Sequence, residues 1–304
     1  MTVAERKGAT STARHAEYAV RRLRERDQIR RLLETRRPYT AYALGQLDVR
    51  LFRMTEWWHA HNETGQAIVL HSYGGLGNAT FAMGEAGALE AVLRVHPGPR
   101  HTFLTCEVHH VDAVSRYFDL QQRQTMIRMQ VTAETFRPLE GEARRLTGRD
   151  VREVNRLYRT DGVPSFYLSR QIDESVYFGA ERDGRLVSIA GTHVISSASG
   201  IAVVGNVYTH PGHRGKRLAE ATTSAVTEQL LRVCREVVLS VDPTNLPAVR
   251  AYERLGFVEV ARLIEGAARR RDATGAVTSM RRWAARMRGR SSGAEVVRVR
   301  LEDY

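Results

Sequence analysis

Lysine is nearly missing from this chain. Of 46 basic residues only Lys7 and Lys216 are lysines, so arginine carries the formal charge of +12. Such a ratio reads as genome composition more than function. A basic balance predicts affinity for anions in general, phosphorylated cofactors included, and names no partner. Cysteine is as scarce. Cys106 and Cys234 lie in different halves without metal-ligand spacing, which argues against a disulfide framework and a zinc site and points to a reducing cytoplasm. No run of 18 apolar residues occurs, which excludes a membrane-spanning helix. The opening "MTVAERKGATSTARHAEYAV" has no apolar core of the secretory-signal kind.

What is present is ordinary for a globular protein: 42% hydrophobic and 26% charged residues. The length of 304 residues suggests two domains, or one with a large extension. Residues 1–14 are polar and aperiodic and read as a disordered tail. A helix is expected over residues 15–37, on Ala19, Leu23, Ile29 and Leu32. Two paired strands (67–73 and 79–85), a helix at 86–96, a strand at 101–108, a helix at 111–120 and a strand at 124–132 follow. Adjacent Trp57 and Trp58 read as one core residue and one at a domain interface, and His109 and His110 have no partner at metal-ligand spacing.

The second half repeats the order strand, strand, helix, strand, helix, strand, without residue-level similarity. A short strand near 142–150 and helices over 149–160 and 163–172 precede strands at 175–181, 185–196 and 201–209. A helix spans 214–235, and "EVVLSVD" (236–242), nearly all apolar, reads as a central strand covered on both faces. "NLPAVRAYERLG" is a short helix capped by Asn245, with Gly256 past its end. A strand follows at 257–266. "EVVRVRLED" alternates and reads as a terminal antiparallel strand. Between these two lies a basic insertion, about 266–293. Residues 269–290 hold eight arginines against Asp272, and Met280, Trp283, Ala284 and Met287 fall at helical spacing, a stripe expected to pack on the core.

The chemistry gathers at "HPGHRGKRLA" (210–219). A strand that hands over to a helix presents the helix's unpaired N–H groups and its dipole to one spot, which suits a pyrophosphate. Arg214, Gly215, Lys216, Arg217, Leu218 and Ala219 would be the backbone donors. His210 and His213 border this turn.

The segment "VYTHPGHRGKRLA" resembles the cofactor motif of GNAT-type N-acetyltransferases: Gln or Arg, two residues, Gly, one residue, then Gly or Ala. Arg214 and Ala219 match its ends, whereas Arg217 replaces the middle glycine. Downstream, "NLPAVRAYERLGF" is similar to the family's second signature, with Asn245, Ala248, Tyr252, Gly256 and Phe257 in register. The resemblance covers roughly residues 140–301 and implies an α/β acyl-CoA N-acyltransferase fold, a mixed central sheet flanked by helices. It implies two tandem GNAT-like domains: a degenerate one over 15–135, somewhat like the glycine N-acyltransferase-like group, and a catalytic one over 136–304.

By that resemblance Val207, Tyr208 and Thr209 pair with the pantetheine arm of acetyl-CoA, the cosubstrate, and Asn245 touches the cofactor. Tyr252 protonates the leaving thiolate. The family's usual glutamate on the strand before the turn is missing, with Val203 in its place. His193 or a water held by Asn206 would accept the proton of the amine, or an amine of low pKa would need no base. The implied activity is acyl transfer from acetyl-CoA to a primary amine in the cytoplasm, without a metal. Two alternatives remain open: an amino-acid N-acyltransferase taking a larger acyl-CoA, and a basic nucleic-acid-binding or regulatory protein with a vestigial acyl-CoA site. The acceptor, a small molecule or peptide, and the oligomeric state are not readable.

Overall fold

The computed structural model describes residues 16–74, 77–162, 166–271 and 296–301, with Met280, Trp283, Ala284 and Met287. The tail expected over 1–14, the proline opening the helix expected at 163–172, and most of the basic insertion lie outside the described residues. In the first half the order is β1 (Glu17–Leu23), α1 (Arg26–Glu34), α2 (Ala41–Gly45), α3 (Val49–Phe52) and β2 (Thr55–His61). Then come β3 (Gln66–Tyr73), β4 (Asn78–Gly84), α4 (Ala86–Val95), β5 (His101–Cys106), α5 (Val111–Ser115) and β6 (Phe118–Thr132). The second half holds β7 (Arg144–Arg145), α6 (Val151–Tyr158), α7 (Ser169–Asp173), β8 (Phe178–Arg182), β9 (Arg185–Ser196) and β10 (Ile201–Thr209). It continues through α8 (Leu218–Leu231), β11 (Glu236–Val241), α9 (Leu246–Arg254), β12 (Val258–Arg270) and β13 (Val296–Arg300).

All these strands join one mixed sheet, in the order β13-β1-β2-β3-β4-β5-β12-β6-β11-β10-β9-β8-β7. Chain order and spatial order part company at the middle. β6, which ends just before the boundary expected at 135/136, lies between β11 and β12 and is antiparallel to both. β12 in turn pairs with β5, and β13 pairs with β1. Three large apolar clusters fill most of the sheet's faces, and two smaller ones lie around β8 and β9. One large cluster holds α4 against β1, β3, β4 and β5. Another holds α8 and α9 against β6, β10 and β11. Between them a shared cluster packs α1 and α2 onto Trp57, Leu70 and Phe81, and onto Val203, Val238 and Leu263 from the second half.

The residues 15–37 do not form one helix. Tyr18 and Val20 are buried with period two, β1 pairs with β2 and β13, and only from Arg26 does the chain turn helical. Pairing on both sides overrode a sequence of good helix formers. The helix expected at 111–120 stops at Ser115, because the strand β6 starts at Phe118 and runs 15 residues. Trp57 and Trp58 sit on strand β2 and point to opposite faces: Trp57 enters the shared cluster and Trp58 stacks on His96 at 3.3 Å. The stripe of Met280, Trp283 and Met287 is helical but exposed by 60%, 63% and 48%, so it does not pack on the core as expected.

The halves are also tied by charge. Arg37, just past α1, donates through Nε to the Glu236 carboxylate at 2.6 Å and through a terminal nitrogen, Nη2, to Ser199 O at 2.6 Å. Gln130 of β6 donates to the other Glu236 oxygen at 2.6 Å. Glu236 opens β11 and is buried, so loss of its cation leaves an uncompensated charge. Arg37→Ala is expected to lower stability by about 3 kcal/mol, read as a lower urea midpoint. A shift of a few tenths would show that this tie contributes little.

Candidate active site

β10 and β11 run parallel and bond from Ile201 to Val204, opposite Glu236 to Leu239, and there the pairing ends. The cause lies in the next residues. β10 shifts register against β9 at Val203/Val204 and again between Gly205 and Tyr208. Asn206 takes a left-handed conformation with φ 55°, which asparagine tolerates better than most side chains. Gly205 passes so close to His193 that a Cβ there would lie 2.3 Å from the imidazole. A bulge of this kind bends its strand away from its neighbour. Val207, Tyr208 and Thr209 therefore diverge from Ser240 and Val241, and a cavity of about 880 Å³ opens between the two strands.

This cavity passes from one face of the sheet to the other. On one face it meets the turn into α8 and, on α9, Tyr252, which belongs to the same cluster as Leu239 and Val204. On the opposite face it meets Tyr42 of α2, Met126 of β6, His193 of β9 and Glu265 of β12. Register fixes that second face. Met126 lies opposite Leu263, a member of the shared cluster, and Glu265 is two residues further along β12.

The turn meets the expectation of free amides. Ala221 N–H donates to Arg217 O at 3.0 Å, the first bond of α8. Among the described residues, the N–H groups of Gly215 to Glu220 find no protein acceptor. Arg217, where the motif carries glycine, adopts the left-handed conformation that glycine would supply, with φ 57°. Its guanidinium is turned back onto α8, donating to Glu220 at 2.5 Å. Glu220 is 1% exposed and also receives Arg254 of α9 at 2.7 Å, so one carboxylate holds together the helices that carry the turn and Tyr252. Burial raises the Glu220 pKa, but the two arginines outweigh it and the carboxyl lies below its usual range. Arg214 folds back on Thr209 O (3.1 Å) and Asp161 (3.3 Å).

Tyr252 is 7% exposed, and burial pushes its pKa up to about 12, so the phenol stays protonated. Among the described residues its hydroxyl has no hydrogen-bond partner. Asn245 caps α9 through the Ala248 N–H (3.3 Å) and also lines the cavity. His193 is held on both sides: the Tyr42 hydroxyl lies 2.5 Å from Nδ1 and Asn206 Oδ1 lies 3.0 Å from Nε2. A carbonyl oxygen only accepts, so Nε2 carries the proton and Nδ1 accepts from Tyr42. Asn206 donates in turn to the Tyr177 hydroxyl (3.0 Å), and its own carbonyl accepts from Tyr158 (2.5 Å). Burial, with the nearby Arg128 charge, lowers the His193 pKa against the opposing Asn206 contact, so the ring is neutral.

Of the residues assigned from sequence to catalysis or to the coenzyme, all but Lys216 line this one cavity. Sequence reasoning missed Tyr42, Met126 and Glu265, together with Arg128, which is buried behind them. A charged residue between Ile127 and Met129 in an apolar strand was a signal for Arg128; Tyr42 carried none. Away from this site, ligand atoms of Glu107, His109 and His110 lie within 4.8 Å of one another. Both imidazoles donate Nε2–H to Gly84 O (3.0 and 2.7 Å) and Arg36 holds Glu107, so the protein's own bonds explain that cluster.

Residues 149–257 match the model of the Acetyltransferase (GNAT) family. A mycothiol acetyltransferase of Thermobispora bispora is 41% identical over 90 residues, 28% of this chain and 30% of the relative's length. A GCN5-related N-acetyltransferase from Kribbella flavida superposes with a TM-score of 0.55 at 16% identity, covering 79% of this chain and 95% of that one. A tandem GNAT protein from the clavulanic acid biosynthesis pathway gives 0.50 at 14% identity, covering 85% and 100%. The fold is thus the α/β GNAT-like one, a mixed sheet with flanking helices. Among the described residues no helix is long and apolar enough to cross a membrane.

Replacing Glu220 by Gln should loosen the contact between α8 and α9 by about 1–2 kcal/mol. A lowered carboxyl stabilises the fold above its ordinary pKa of 4.5 and ceases to as pH falls through the folded value. Wild type and variant should therefore differ in urea midpoint at pH 7 and converge only as pH falls below the lowered folded value of this carboxyl. A gap that persists into acid would assign the effect to packing.

Proposed function

We propose, from the premise that residues 149–257 form an acyltransferase segment of the GNAT family, that the cavity takes acetyl-CoA and passes its acetyl group to a primary amine by direct attack. The observation that carries this reading is the parting of β10 and β11 at Val204, with unpartnered amides at one end and a protonated Tyr252 beside it. Acetyl-CoA fits these residues on three counts. Six successive N–H groups at a helix start suit a diphosphate. The edge of β10 over Val207, Tyr208 and Thr209, released from β11, suits an extended amide-bearing arm added as a strand would be. The cavity of about 880 Å³ is of the size that takes an extended ligand.

The residues then divide the work. Backbone amides of Gly215 to Ala219 hold the diphosphate, and Arg214 and Lys216 add positive charge around it. Arg217 itself stays on Glu220, so its contribution is the left-handed backbone. Asn245 fixes the start of α9 and so the height of Tyr252. As the C–S bond breaks, Tyr252 gives its proton to the sulfur; its raised pKa means only that the phenol still carries that proton when the thiolate forms. His193 and Asn206 serve as positioning residues: with both ring nitrogens engaged, they hold the bulge that keeps the strands apart.

The chain is a tandem of two GNAT-like halves, the first without a coenzyme site. There α4 begins at Glu85, whose carboxylate accepts from Gly87 and Ala88 N–H, both at 2.7 Å, and from the Tyr18 hydroxyl at 2.9 Å. The helix start that would seat a phosphate is filled by the chain's own anion. The relatives' name joins their acetyl transfer to mycothiol; for this chain only the acetyl donor is carried over.

Calorimetry with acetyl-CoA and a thiol-release screen over small amines, amino acids and peptides test the proposal. Wild type should bind acetyl-CoA, and Tyr252→Phe should keep that affinity while losing about 100-fold in turnover. A folded protein that takes up no CoA species would end the proposal. Salt-dependent retardation of nucleic acid in its place would favour the binding-protein alternative.

A further inference from the structure

The reaction proposed above, on which this inference rests, leaves one proton without a destination: that of the attacking amine. The strand before the turn offers no carboxylate, and His193 has both nitrogens committed. Four carboxylates line the cavity: Asp161, Glu220, Asp242 and Glu265. Three are engaged. Asp161 pairs with Arg214, Glu220 with Arg217 and Arg254, and Asp242 accepts from the Thr244 N–H and hydroxyl at 2.8 and 2.7 Å. Glu265 makes no ion pair among the described residues.

Position separates Glu265 from the other three as well. It stands on the face of the sheet opposite Tyr252, beyond the gap between β10 and β11. An acid that serves the sulfur and a base that serves the amine belong on opposite sides of the carbonyl carbon. The groups around Glu265 come from every neighbouring element: Thr105 from β5, Gln124 and Arg128 from β6, Tyr42 from α2 and His193 from β9. Tyr42 has committed its proton to His193. Arg128 is fully buried, donates to Ser240 Oγ at 2.7 Å, and lies 5.1 Å from the Tyr42 ring centre. Its Nε and second terminal nitrogen have no hydrogen-bond partner, and it makes no ion pair among the described residues. A buried cation here disfavours a second one, so an acceptor amine brought beside it gives up its proton more readily.

We propose that Glu265 is the general base of the acyl transfer, with Arg128 as the positioning charge behind it. As the acceptor nitrogen bonds to the acetyl carbon, its proton moves to the Glu265 carboxylate. As the carbon–sulfur bond breaks, Tyr252 protonates the sulfur. Amine and acetyl thioester become amide and thiol, and a proton returned through solvent from Glu265 to the Tyr252 oxygen restores both groups. Burial places the Glu265 carboxyl above its usual range, against the Arg128 charge and the Thr105 hydroxyl, so the base is unprotonated and active only on the alkaline side of that raised value.

The test measures thiol release from acetyl-CoA over pH, with a panel of primary amines and with water alone as acceptor, alongside acetyl-CoA affinity by calorimetry. Glu265→Gln is expected to keep the affinity, lose about 100-fold in rate and lose the fall in rate on the acid side. A variant that keeps both the wild-type rate and the acid limb overturns the assignment. If Glu265→Gln also loses acetyl-CoA, Glu265→Asp decides: a carboxylate that retains the acid limb supports the role, and a flat profile overturns it. Wild type that binds acetyl-CoA but never releases thiol removes the base and leaves the binding site standing. Wild type that binds none removes the coenzyme reading itself.

Discussion

The molecule's chemistry depends on a refusal to pair. Beyond Val204 the groups that β10 would offer to β11 are turned away by a bulge, and their hydrogen bonds must be made elsewhere. Holding strands open is unfavourable unless something fixes them, and here the fixing is a chain of side chains. Tyr42 holds His193, His193 holds Asn206, and Asn206 reaches Tyr177, while Tyr158 seizes its carbonyl. One link, Tyr42, comes from the first half of the chain. The first half of the chain thus contributes to the shape of the site and does more than cover it.

The second half was legible because its signals are local. Arg214, Ala219, Asn245 and Tyr252 announce themselves through spacing along the chain, and the strands over 185–196 and 201–209 appear with the bounds expected for them. The opposite wall of the cavity was hidden because it is assembled by strand pairing between distant segments. Glu265 looks in sequence like any solvated position on an edge strand. It becomes a cavity residue only because β6 slots in beside β12 and places Met126 next to Leu263. The helix expected over 15–37 failed for a related reason: β1 is made a strand by partners on both sides, neither of them near it in sequence.

The two halves also share one order of elements and differ where the helix begins. In each, a hairpin, a helix and a parallel strand follow in turn: β3, β4, α4, β5 and β9, β10, α8, β11. In the second half, α8 starts with bare amides. In the first, Glu85 occupies the equivalent place, β3 and β4 stay in unbroken register, and β4 pairs with β5 without a bulge. Burial raises the Glu85 pKa, but its backbone donors and Tyr18 outweigh that and keep it an anion. A tethered carboxylate needs no concentration to stay bound, which makes this plug permanent.

The interleaved sheet has a consequence for how the chain comes to be folded. β1 begins at Glu17 and pairs there with Arg300, so this strand waits for a partner made 283 residues later. β6 likewise cannot find its place until β11 and β12 have been made. Closing such long loops is what slows folding in proteins rich in distant contacts. A nascent chain stopped at residue 135 would display a long half-apolar ribbon with no neighbour, the kind of edge on which strangers pair. In this interleaved sheet neither half is therefore complete without strands from the other.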